Sequence, residues 1–215
     1  MRTLIIAVIC LAGPRALSAQ TLDVTRSPHV VVRSYTHGMS PADFARARGF
    51  VGDLFAGVGI GVSWVECGSD ESAADPPADC GRPLKDRELI VRIVAGEAHS
   101  ISDPSALGYS LVDLEVAQGS IATVYIDRVT ALARRAQVET AGVLGRAIAH
   151  EMGHLLIGSN RHASQGLMRA TWAPRELRRN AAIDWQFSES EGQTMHGRLR
   201  PPMVDAAEVR LADAR

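Results

Sequence analysis

The sequence predicts an α+β fold on three observations. Five short runs rich in β-branched residues are bounded by glycine, proline or polar clusters, other stretches repeat apolar residues at helical spacing, and a histidine-rich helical segment follows the last strand. That segment, HEMGHLLIGSNRH at residues 150–162, holds three of the chain's seven histidines.

In chain order, HVVVRSY (29–35) is β-branched and lies between Pro28 and Gly38, which predicts a strand. Ser40 offers an N-cap with Pro41 at the first helical position, and Phe44, Ala47, Val51, Leu54 and Phe55 recur at helical spacing, so a helix follows. IGVSWVEC (60–67) alternates as a second strand and ELIVRIVA (88–95) reads as a third. ALGYSLVDL (106–114) is a weaker fourth because glycine lowers strand preference, and SIATVYIDRV (120–129) is a fifth. From about Thr130 the chain turns helical into ETAGVLGRAIAHEMGHLLIG, where Leu144, Ile148, Met152 and Leu155 mark an apolar face and Gly158 offers a C-terminal stop. A Gly166-Leu167-Met168 turn, a helix-prone segment at 174–182, and a last helix opened by the capping-box pair Ser188 and Glu191 complete the order.

The opening MRTLIIAVICLAGPRALSAQ carries Arg2, an apolar run from Leu4 to Ala12, and small residues at Ser18 and Ala19, the layout of a secretory signal peptide spanning 1–19. Its apolar run falls short of the roughly 20 residues that span a bilayer, so export to the periplasm or the cell exterior is expected, with no stable membrane insertion after cleavage. Cys10 leaves with the signal. The remaining Cys67 and Cys80 are then expected to form a disulfide, closing a polar loop that holds Asp70, Glu71, Asp75, Pro76, Pro77 and Asp79 at a gain of about 3 kcal/mol. Residues 20–199 are expected to form one domain, and 200–215, with Pro201 and Pro202 and little apolar content, a flexible tail. A net charge of -1, from 23 basic and 24 acidic residues, gives no overall field to draw nucleic acid or an acidic membrane.

On a helix, positions four apart share a face, so His150 and His154 can turn ring nitrogens toward one ion while Glu151 projects beside it. Two histidines as ligands with a glutamate as general base is the HExxH arrangement of zinc hydrolases. A tetrahedral catalytic zinc takes three protein ligands and keeps one position for water, and His162 is the expected third. Glu176, Glu189, Glu191 and Asp184 remain alternatives for that position. His29, His37, His99 and His196 lack ligand spacing and are expected at the surface or in loops.

HEMGHLLIGSNRH followed by GLM resembles the metzincin clan of zinc endopeptidases, and among them the matrixins. The clan pattern is HExxHxxGxxH; here one residue is added before Gly158 and one after it, so His162 lies eight positions past His154. The resemblance covers roughly 26–199 and implies a twisted, mostly parallel five-stranded sheet with an antiparallel edge strand, a zinc helix, a Met-turn at Met168 beneath the metal, and a C-terminal helix. It further implies that Leu107, Gly108, Tyr109, Ser110 and Leu111 line a substrate cleft, with Trp172 as a pocket wall. No unpaired cysteine remains for a cysteine-switch propeptide, so activity without such trimming is expected.

The leading expectation is an exported zinc endopeptidase acting on a peptide or protein substrate, with Glu151 as general base. A noncatalytic zinc-binding or peptide-binding module and a zinc amidase acting on cell-wall peptides are the alternatives, and the sequence is silent on oligomeric state. Ordinary histidine ligands also imply loss of metal below about pH 6.

Overall fold

Residues 27–69, 77–96 and 105–199 are described by the computed structural model. The expected signal peptide, the tail at 200–215, His99, and Asp70, Glu71, Asp75 and Pro76 of the disulfide loop lie outside the described residues.

β1 (His29–Thr36) is followed by α1 (Pro41–Ala56), where Ser40 caps the helix by accepting a hydrogen bond from the Asp43 amide. β2 (Gly61–Ser69), β3 (Glu88–Val94), β4 (Gly108–Asp113) and β5 (Gln118–Tyr125) complete a five-stranded sheet in the order β2-β1-β3-β5-β4. The first four strands of that order run parallel and β4 pairs antiparallel with β5 at the edge. Strand side chains alternate between faces. Val30 and Val32, Leu89, Val91 and Ile93, and Ala122 and Val124 therefore meet Phe44, Val51 and Phe55 of α1 in one core.

The strand expected to reach Val129 ends at Tyr125. Residues 126–129 instead begin α2 (Ile126–Ala136), with Ile126, Val129, Leu132, Ala133 and Ala136 buried at a spacing that only a helix gathers on one side. Ile126 and Val129 favour extended backbone by local preference, but burying this stripe outweighs the few tenths of a kcal/mol their branching costs a helix. A left-handed Gln137 stops α2 and separates it from α3 (Thr140–Ile157). α4 (Pro174–Arg179), a 3-10 turn (Ala182–Trp185) and α5 (Glu189–Leu199) follow, the last opened by the expected Ser188–Glu191 box: the Glu191 amide donates to Ser188 Oγ and the Ser188 amide to Glu191 Oε2. No helix among the described residues is long and apolar enough to cross a membrane.

Cys67 and Cys80 form the expected disulfide, joining the end of β2 to a short 3-10 turn (Ala78–Gly81). Just beyond it, Glu88 sits between two guanidiniums: Arg82 reaches its Oε1 at 2.5 Å and the buried Arg33 of β1 reaches its Oε2 at 2.6 Å. Arg33 also donates to the main-chain oxygens of Arg82 and Pro83, so one buried cation ties β1 to the segment entering β3. Arg82 above all, then the Lys85 amide and Arg33, hold the Glu88 carboxyl down at about 2 against the opposing effect of burial.

Removing one partner strands buried charge, so Glu88→Ala is expected to lower unfolding free energy at pH 7 by about 3–5 kcal/mol. Because the folded-state pKa is depressed, this stabilisation is present above the ordinary value of 4.5 and lost as pH falls toward about 2. Urea melts of both proteins should differ at pH 7 and converge near pH 2.

Candidate metal centre

α3 lies among β4, β5, α1, α2 and α5, and its side chains are buried almost throughout, from Ala141 to Leu156. Within this apolar helix His150 is 8% exposed, Glu151 7% and His154 5%. Polar groups so deeply placed need partners. His150 Nδ1 lies 2.9 Å from the main-chain oxygen of Leu167, and His154 Nδ1 lies 2.7 Å from that of Ser159. A carbonyl oxygen only accepts, so each Nδ1 carries the proton and each Nε2 of the neutral ring presents a lone pair.

Those two Nε2 atoms are 3.1 Å apart. Burial pushes His150 down to about 3 and lowers His154 as well, so neither ring is charged near neutral pH and no proton is available to bridge the pair. Two facing lone pairs repel, and a shared cation converts the repulsion into attraction. Nitrogens each 2.0–2.1 Å from one tetrahedral zinc stand about 3.3 Å apart, which this pair nearly matches. The residues present therefore fit the ion.

His162 joins them. Its ring centroid is 5.3 Å from that of His150 and 4.9 Å from that of His154, and one ligand atom from each ring lies within 4.8 Å of the others. The return path is set by Gly158, which caps α3 in the left-handed conformation at φ 68° and whose amide bonds back to the His154 oxygen. A side chain there would collide with the main-chain oxygen of Ala117 as well as strain the backbone. Met168 is fully buried and packs against α3 at Gly153, where an added Cβ would sit 2.6 Å from its sulfur.

The alternative third ligands are otherwise engaged. Glu176 accepts from the Ala173 amide and pairs with Arg169, Asp184 pairs with Arg179, Glu189 accepts from Gln193, and Glu191 belongs to its capping box. Of the histidines expected at the surface, His29 is exposed but begins β1 beside Ser63 Oγ, and His37 is exposed. His196 departs from expectation: it is half-buried, with Nε2 2.6 Å from the Val58 oxygen, and ties α5 to the turn after α1.

Around the cluster, Glu151 accepts a hydrogen bond from Ser110 Oγ at 2.6 Å; burial pushes its carboxyl up to about 7, and the Ser110 bond acts the other way. Gly108 and Ser110 of β4 face α3, whereas Tyr109 lies 6.2 Å from Tyr125 on the opposite face and Leu111 is 55% exposed at the edge. Leu107, just before β4, packs on the core and its oxygen receives the Tyr125 amide. Trp172 stands edge-on to His150 at 5.7 Å and to Trp185 at 5.4 Å, and Trp185 is flanked by Arg146 and Arg169. Sequence reasoning missed Trp185 and the two carbonyls that fix the imidazole tautomers; no side-chain pattern announces a main-chain acceptor.

In the metal-free fold, burial pushes His150 down from its ordinary value of 6.5 to about 3. The linked prediction concerns the metal-free protein. A folded-state pKa lowered from 6.5 to about 3 contributes stability that is present above 6.5 and is lost as pH falls through that interval. In EDTA, thermal melts should show wild type losing more stability than His150→Phe between pH 7 and pH 4.5; equal losses would contradict this.

No protein-family model matches the chain, and no curated protein compared with it is significantly similar. Among solved structures the chain is similar to a zinc-dependent peptidase from Methanocorpusculum labreanum, at 16% identity and a TM-score of 0.45, over 79% of this chain and the whole of that one.

Proposed function

We propose that this protein is an exported zinc-dependent endopeptidase of metzincin type, with His150, His154 and His162 as ligands and Glu151 as general base. The observation that carries the reading is the pair of unprotonated Nε2 atoms facing each other at 3.1 Å, with a third imidazole alongside and a buried carboxyl on the next residue.

Zinc, when bound, supplies Lewis acidity toward a carbonyl and makes water a competent nucleophile near neutral pH. Glu151 then does the proton work. A carboxyl raised to about 7 can take the proton of an attacking water and return it to the leaving amine at physiological pH. His150 and His154 keep their Nε2 lone pairs available because Leu167 and Ser159 hold the other nitrogens protonated. Met168 is the apolar support under the helix at Gly153, and Trp172 walls one side of the His150 ring. The edge strand β4 offers main-chain groups to a peptide laid alongside it, with exposed Leu111 able to meet an apolar side chain. The near-balanced charge gives no overall field to draw nucleic acid. Glu151 distinguishes this reading from a noncatalytic metal or peptide module, in which a buried carboxyl would cost stability without a task.

The test pairs metal analysis with digestion of an unstructured protein. Wild type should bind one zinc per chain and cleave, while Glu151→Gln should keep its zinc and lose roughly 10²–10⁴-fold in rate. Zinc without Glu151-dependent cleavage would favour the binding module, and no zinc would end both metal readings. His162→Ala should weaken zinc by more than the roughly 10–100-fold that loss of an outer-shell partner costs, as read by chelator competition.

A further inference from the structure

We propose, resting on the peptidase reading, that Ser110 is a positioning residue that fixes the Glu151 carboxyl through its side-chain hydroxyl. Ser110 and Gly108 stand two apart on β4 and so share the strand face turned to α3. Together they bracket the carboxyl. Ser110 Oγ lies 2.6 Å from Glu151 Oε2 and 2.8 Å from the Glu151 main-chain oxygen. At Gly108, a Cβ would fall 3.0 Å from both Cγ and Oε1 of Glu151, and 2.5 Å from the Thr123 oxygen. One oxygen of the carboxyl thus rests in a slot that only glycine leaves open, and the other is held by the hydroxyl.

Among the described residues Ser110 is the one side chain that hydrogen-bonds Glu151. A hydroxyl has one proton to give and lone pairs to receive. While the carboxylate is ionised, Ser110 donates to Oε2. Once Glu151 holds the proton taken from water, its O–H can donate to Ser110 Oγ, and Ser110 turns its own proton to the main-chain oxygen at 2.8 Å. The same side chain keeps the carboxyl placed before and after the transfer. β4 is also the sheet edge, so the strand that would hold a peptide backbone sets the position of the base.

The test uses the full chain loaded with zinc and a quenched fluorogenic peptide spanning a bond that wild type cleaves in an unstructured protein. Ser110→Ala should lower kcat roughly 10–100-fold with KM within about 2-fold, while Ser110→Thr, which retains the hydroxyl, should recover most of kcat. Zinc affinity by chelator competition should stay at the wild-type value in both, and circular dichroism should show both folded at the assay temperature. Wild-type kcat in Ser110→Ala, with Glu151→Gln inactive, would overturn the role of Ser110 and leave the peptidase reading intact. A kcat loss that follows a loss of zinc affinity, or that threonine does not rescue, would overturn it in favour of a purely structural hydroxyl. Wild type without Glu151-dependent hydrolysis would overturn the parent reading and this role with it.

Discussion

The site depends on how an apolar helix accommodates two imidazoles one turn apart in the core. In water, histidines at that spacing would share protons with solvent and turn outward. Surrounded by strands and helices, His150 and His154 have no such freedom, and their charged forms are suppressed by desolvation. Each ring keeps one hydrogen bond, to a main-chain oxygen, and is left with one lone pair directed at its neighbour. The arrangement is unfavourable by itself and becomes favourable when a cation is shared, so folding builds electrostatic demand into the place where the ion fits.

The segment from Gly158 to Met168 meets that demand in several ways at once. It supplies His162, the Ser159 oxygen that orients His154, the Leu167 oxygen that orients His150, and the Met168 side chain that packs under Gly153. The segment is itself pinned: the Ala163 amide bonds to the Met168 oxygen and the Leu167 amide to Gln186. Displacing it would therefore remove a third imidazole and loosen the tautomers of the other two together, which makes helix and loop one unit.

Much of this was legible in the residues. Ser40 with Pro41 marked a helix start, Gly158 marked a helix end, and the i, i+4 histidines marked a shared face, because each rests on local backbone or spacing rules that tertiary structure left in force. The end of β5 is not legible in the sequence because Ile126 and Val129 favour a strand locally, while their burial pattern, set by neighbours distant in sequence, requires a helix. His196 reads as a surface residue in the sequence because its partner is the main-chain oxygen of Val58, 138 positions away. Ser110 is expected along the cleft, but its bond to Glu151 is not legible in the sequence. Strand alternation says that it shares a face with Gly108, but which face meets α3 is decided by packing, and only the folded chain turns that hydroxyl toward Glu151.

The segment between His154 and His162 also has a physical account. α3 runs to Ile157, and Gly158 ends it against the main-chain oxygen of Ala117 in the β4–β5 turn, where Arg198 also donates. Beyond the cap, Asn160 and Arg161 face solvent before His162 turns back to the cluster. The feature of this segment that cannot be relaxed is the left-handed cap without a side chain, because a Cβ at Gly158 would meet the Ala117 oxygen, whereas the exposed residues after it are free to bend His162 back.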